Sequence, residues 1–435
     1  MGSVKRLTPL LVMLGLVVAA CTSASPSPGG SAGGSGGAGS LSGQSVRVLG
    51  TWTDVERLSF MAMVKPWEDT TGATVNYQGT RAINDILAAG LASNVLPDLA
   101  GLPGLGQMKE YVTAGKLQPL DGVLDTATYS SETSPGLSKL GQVNGKTFGV
   151  FIKATLKGMV FYNPKLHDYS TGAPATWSDL MTQAAANQGT AKAIWCLGLS
   201  SGDASGWPAT DWIENILLRQ AGPDVYNDWW AGKVKWTDPA VKAAFTTYMD
   251  DVVAHAYGGG TTANATKFDV AGDPIFASPP GCELFQQGSF MTGLGKFAKL
   301  KAGTDYNAFA FPSFNTQYAN AVEGAGDLFG MFHATPAAKS LMKYLVTAAA
   351  QDIWVKRGGA LSANKNASDY PDTFSKNAAA AIANAQQFVF DASDQMPTAM
   401  NAAFWKEVVS LTSNKETIDQ ALAALQKVAN DAYSS

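Results

Sequence analysis

FGVFIKATLKGMVFYNPKL, residues Phe148–Leu166, holds two extended runs rich in β-branched and aromatic side chains, Phe148 to Ile152 and Gly158 to Tyr162. A short polar connection carrying Lys153 and Thr155 joins them, and Asn163-Pro164 stops the second. In a chain of two lobes, this is where the polypeptide first crosses from one to the other. A ligand is expected beside such a crossing.

Length supports two lobes, because 435 residues exceed one ordinary core. With 46% hydrophobic and 15% charged residues, both lobes can be well packed. A formal charge of −4 makes nucleic acid an unsuitable partner.

Upstream of the crossing, strand Ser45 to Leu49 leads through Trp52 to a helix opened by Thr53 and Glu56 at capping-box spacing. Val55, Leu58, Met61 and Ala62 repeat on its expected inner face. Strands at Thr74 to Tyr77 and Leu96 to Ala100 follow, with a helix from Ile83 to Ala92 between them. Three strand-to-loop transitions imply a parallel sheet that gathers the loop tips Trp52, Thr80, Arg81 and Pro103 on one edge, where open α/β sheets bind ligands.

Downstream, Thr176 and Asp179 cap a helix, Ala191 to Leu197 reads as a strand, and WPATDW (Trp207–Trp212) opens a long helix. Asp238-Pro239 supplies an N-cap and a proline at the first helical position. Phe290 to Leu294 and Ala308 to Phe311 read as strands of a second α/β lobe. Further crossings are expected at Glu323 to Phe332 and at Gly358 to Leu361, before a helical C-terminal region.

At the other end, Lys5 and Arg6 precede an apolar run, Leu10 to Ala20, that closes on VAAC with Cys21. This is a secretory signal, and its small residues before a cysteine resemble the lipobox of bacterial lipoproteins, in which that cysteine is acylated, an ordinary signal peptide being the alternative. The Ser/Gly/Ala/Pro tract to Gly43 reads as a flexible tether of roughly 25 Å root-mean-square reach. An exported compartment favours pairing of the remaining cysteines, Cys196 and Cys282, with two buried thiols as the alternative.

Chemistry points to binding. GLSSG (Gly198–Gly202) matches a nucleophile elbow around Ser200, but a loop follows where a helix should start. His167, His255 and His333 lack partners at metal-ligand spacing, and no phosphate-binding loop occurs, so neither a metal nor a cofactor is expected. Trp52, Trp207 and Trp405 sit beside loop signals, while Trp67, Trp195 and Trp236 are assigned to the core. A sugar ring has an apolar C–H face and a belt of hydroxyls, which suits an aromatic platform ringed by Arg81, Lys153, Asp211 and Asp327.

The VAAC segment, the tether, FGVFIKATLKGMVFYNPKL, TWSDL, WPATDWIENILLRQAG, PPGC and MPTAMNAAFWKEV together resemble an extracellular solute-binding lipoprotein of an ABC sugar importer. The α-glucoside-binding branch is the nearest likeness, and the paired cysteines fit it; the maltose-binding protein is more distant. The resemblance covers nearly all of Val46 to Asp431. It implies an α/β, two-lobed periplasmic-binding-protein-like fold (type II) with three hinge crossings. Residues 1–20 become the signal peptide, 21–45 the lipidated cysteine and tether, 46–153 and 327–358 one lobe, and 157–324 and 364–435 the other. It implies Trp405 as the sugar-stacking helix tryptophan, Trp207-Pro208 as the Trp-Pro turn, and Leu156 where the maltose binder has a carboxylate, a role Lys153 or Thr155 can take over.

The expected function is therefore capture of a di- or oligosaccharide, an α-glucoside by the likeness, by a lipid-anchored monomer at the outer face of the membrane, for delivery to an ABC permease. A secreted hydrolase using Ser200 and a surface carbohydrate adhesin are the competing readings.

Overall fold

The computed structural model describes residues 41–102 and 104–434; the signal segment, Cys21, nearly all of the tether and Pro103 lie outside them. The body opens with the expected alternation of β1 (Ser45–Gly50), α1 (Asp54–Thr71), β2 (Thr74–Gly79), α2 (Ile83–Ser93) and β3 (Leu99–Leu102), followed by α3 (Leu105–Thr113). Strand β1 pairs in parallel with both β2 and β3, as a βαβ series requires.

The phase of α1 differs from the sequence reading. Val55 and Leu58 are exposed, and the buried face is Ser59, Phe60, Met63, Val64 and Trp67. Thr53 makes no side-chain cap, which leaves Glu56 free to act elsewhere.

The first strand of the crossing is longer than its sequence suggests. β4 (Gly149–Leu156) absorbs the residues read as a polar connection, and β5 (Met159–Tyr162) follows after Lys157 and Gly158. Gly158 has φ +65°, and a Cβ there would lie 2.1 Å from Asn215 Oδ1, so the turn needs glycine.

The second lobe is built from α4 (Trp177–Asn187), β6 (Trp195–Cys196), α5 (Trp207–Trp230), α6 (Pro239–Thr247), β7 (Leu284–Gln287) and β8 (Asn307–Ala310). Thr176 caps α4 by accepting from the Asp179 amide, and Asp238 caps α6 ahead of its proline, as the sequence indicates. Helix α5 is interrupted at Gly222, which is non-helical. The strand expected at Ala191 to Leu197 is only the two residues of β6, and Phe290–Leu294 is no strand: Ser289–Gly293 forms a 3-10 turn just after β7. Cys196 and Cys282 are disulfide-bonded, with Cα atoms 5.3 Å apart.

β9 (Ala321–Met331) is the second crossing, followed by α7 (Pro336–Leu345), α8 (Ala348–Arg357), β10 (Gln387–Phe390), α9 (Thr398–Thr412) and α10 (Ile418–Ala432). Two principal sheets result: a six-stranded one in the order β10-β9-β3-β1-β2 with β4 on the other edge of β9, and a four-stranded one in the order β8-β5-β7-β6. The third crossing lies against the first, with the Ala154 amide donating to the Leu361 carbonyl at 2.8 Å. This is the two-lobed type II architecture.

One apolar cluster runs between the sheets, joining Phe151 of β4 to Phe161 of β5 and Phe285 of β7, and each lobe adds a cluster of its own. The aromatic core of the four-stranded lobe includes Trp177, Trp195, Trp212, Trp229 and Trp236; Trp67 is buried in the first lobe against α7.

Candidate functional site

Strand geometry makes the site. Successive side chains of β4 alternate between faces, so Lys153, Thr155 and, one step past the strand end, Lys157 share one face. All three line a cavity of about 760 Å³, within the range of small-molecule sites. The register with β9 is irregular between Asp327 and Leu328: Asp327 faces Lys153 while Leu328 faces Phe151. Bulges of this kind re-aim side chains beside functional sites.

Each lysine gathers carboxylates from separate elements. Lys153 Nζ lies 3.1 Å from Glu56 Oε1 of α1 and 3.4 Å from Asp327 Oδ2 of β9. Arg81 joins the same group through Glu56 Oε2 at 3.2 Å, and its guanidinium also sits 5.1 Å over the Phe268 ring. Burial pulls the Lys153 ammonium toward a lower pKa, but the charges of Asp327 and Glu56 outweigh it and the net shift is upward. Burial likewise pushes Glu56 up, and Lys153 with Arg81 reverses this to a net lowering.

Lys157 Nζ donates to Asp211 Oδ1 and Oδ2 of α5 at 2.8 and 2.7 Å and pairs with Asp391 Oδ2 at 2.9 Å. Here both acids are almost completely shielded, with side chains 2% and 3% exposed. Burial raises Asp211 to about 7 against the opposing pull of Lys157.

Three tryptophans border this polar strip in different ways. Trp207, half-buried at the start of α5, has the Lys157 ammonium 5.2 Å over its ring and packs on Phe268 and Phe290. Trp405 of α9 is half-buried too, and its indole N–H has no partner among the described residues. The two are held together by Gly206, at φ +112°, whose added Cβ would meet the Trp405 carbonyl at 2.3 Å.

Trp52 corrects the sequence reading. It is 2% exposed and wedged among Phe60, Tyr77, Phe329 and Trp354, rather than standing free on a loop. Only its edge borders the cavity, and its Nε1 donates to Asp327 at 3.1 Å.

The structure thus brings Trp52, Arg81, Lys153, Trp207, Asp211, Asp327 and Trp405 to one cavity. Thr80 is not in its wall; its hydroxyl accepts from the Ala82 amide. Pro103 lies outside the described residues. Sequence reasoning missed Glu56, assigned to a helix cap, and Asp391 and Asp394, which lie some two hundred residues from the crossing without a motif. It also missed Lys157, although the period of two from Lys153 was visible. Ser200, His167, His255 and His333 do not line the cavity. The Ser200 amide donates to the Thr266 carbonyl, and no helix starts until Trp207.

Residues 62–383 match the family model described as bacterial extracellular solute-binding protein. Among curated proteins the chain is similar to the osmoprotective compounds-binding protein GgtB of Synechocystis sp., 31% identical over 377 residues covering 84% of this chain and 88% of that one. It is also similar to the alpha-glucosides-binding periplasmic protein AglE of Rhizobium meliloti, 29% identical over 403 residues covering 89% and 87%. Among solved structures, a chitin oligosaccharide binding protein superposes with a TM-score of 0.75 at 21% identity, over 90% of this chain and 99% of that one, a likeness of fold.

Proposed function

The chain belongs to the bacterial extracellular solute-binding proteins, and from that premise we propose that it is the sugar receptor of an ABC importer, taking up a di- or oligosaccharide, of α-glucosidic type by its likeness to the alpha-glucosides binder, between its two lobes. The observation that carries this reading is the cavity wall itself. Charged groups held in fixed ion pairs by Lys153 and Lys157 alternate with the half-buried rings of Trp207 and Trp405. Carboxylates already engaged on one side keep lone pairs for sugar hydroxyls, and the charge on the acceptor shortens and strengthens such bonds. The rings offer flat apolar faces to the C–H side of a pyranose.

The ligand binds one arrangement of the lobes better than the other and shifts the population toward it. The VAAC signal and Ser/Gly tract support anchoring through Cys21 at the outer membrane face, from which the loaded receptor delivers sugar to its permease.

Calorimetric titration of the purified chain with trehalose, maltose, sucrose and larger glucosides tests the reading. A saturable one-to-one heat is expected with at least one of them, and binding to no glycan overturns it.

A further inference from the structure

Beneath the cavity floor lies a second polar cluster that shares only Asp391 with the cavity wall. Glu214 of α5, Glu323 of β9 and Asp391, just past β10, each bring a carboxylate oxygen within 4.8 Å of the others, and all three residues are buried. Glu214 is held in place by the Ala392 amide at 2.7 Å and by the Tyr226 hydroxyl at 3.3 Å, which also donates to the Phe390 carbonyl. Asp391 is held by Lys157 and by the Ser393 hydroxyl.

Glu323 is different. It is 0% exposed, its backbone is fixed by the Lys157 amide donating to its carbonyl at 3.0 Å, and neither carboxylate oxygen has a partner among the described residues. The nearby Arg219 attracts it through charge but makes no hydrogen bond to it, its Nε and Nη1 being themselves unpartnered. A bare carboxylate removed from water without a partner is among the costliest groups a fold can carry, so this one must either hold a proton or face a positive occupant.

We propose that Glu214, Glu323 and Asp391 bind a hard divalent cation, with calcium as the fitting size. Calcium takes carboxylate and carbonyl oxygens at about 2.3–2.6 Å, so ligands on opposite sides of it stand about 5 Å apart, a span that accommodates this triad. The donor set is all oxygen, which disfavours the softer metals. The ion would tie α5 and β10 to β9 directly under the residues that hold Lys157, joining the two strands where the first and second crossings meet.

The test is calcium titration of the chelator-stripped chain, read by calorimetry and by melting temperature, in wild type and in Glu323→Gln. One equivalent is expected to bind and raise the melting temperature, and E323Q is expected to bind at least tenfold more weakly. Should E323Q not fold, Glu214→Gln serves as the second variant and the wild-type stoichiometry stands by itself. The proposal fails if calcium, magnesium and manganese all leave the wild type unchanged, including the case where stability answers to pH alone and protons are the occupant. It fails equally if E323Q and E214Q bind calcium as tightly as the wild type.

Discussion

Lys153 and Lys157 lie four residues apart on the same face of one crossing, yet they stand in different surroundings. The partners of Lys153 keep contact with solvent, the Glu56 and Asp327 side chains being 14% and 27% exposed. Those of Lys157 are 2% and 3% exposed. The tryptophans invert this pattern: Trp52 beside Lys153 is locked in an aromatic core, whereas Trp207 beside Lys157 is half open to the cavity. Each end of the strip therefore has one group that holds the fold and one left available to a ligand, with the roles of cation cluster and ring exchanged.

The largest expected effect comes from breaking the buried end. Lys157→Met leaves Asp211 and Asp391 shielded without their cation, and removal of one partner from such a group costs about 3–5 kcal/mol. Denaturant unfolding measures it, and a loss under about 1 kcal/mol would show that water reaches these acids after all.

The ring comparison follows. Trp52→Ala empties a packed core position and should cost about 3–5 kcal/mol of stability. Trp207→Ala should spare most of the stability but weaken sugar binding by about 2 kcal/mol, as expected of an aromatic anchor. Parallel unfolding and calorimetry on the two variants separate these roles, and equal stability losses would erase the contrast.

At the more open end, Lys153→Met should destabilise by about 1–3 kcal/mol, less than its neighbour, because Glu56 and Asp327 regain water. The smallest effect is one of pH. Glu56 is held below its ordinary value of 4.5, Lys153 and Arg81 overcoming the upward push of burial. A depressed carboxylate contributes stability that is present above its unfolded value and lost as pH falls through the folded one. Wild type should accordingly lose more stability than Glu56→Gln on acidification from about pH 5 to about pH 3, by chemical denaturation at each pH.

Much of this was legible in the residues, and the failures have physical causes. The βαβ alternation, the Thr176 and Asp238 caps and the core tryptophans follow from local patterns that packing did not override. Trp52 was misplaced because its four aromatic neighbours come from α1, β2, β9 and α8, which no local window contains. Glu56 carried two meanings, a cap by spacing and a cation partner by position, and Lys153 won it. The polar look of Lys153-Ala154-Thr155 suggested a loop, although a strand beside a polar cavity needs polar residues at alternate positions. Asp391 is brought to Lys157 by the pairing of β10 with β9, a long-range event without a sequence mark.

The central claim is that the face of Lys153, Thr155 and Lys157 is the floor of a carbohydrate site. A crystal structure of the chain with a glycan that binds it tests this most directly. A sugar is expected to lie over that face, with a ring against Trp207 or Trp405 and hydroxyls on Asp327 or Glu56. A glycan seated anywhere outside this cavity contradicts it.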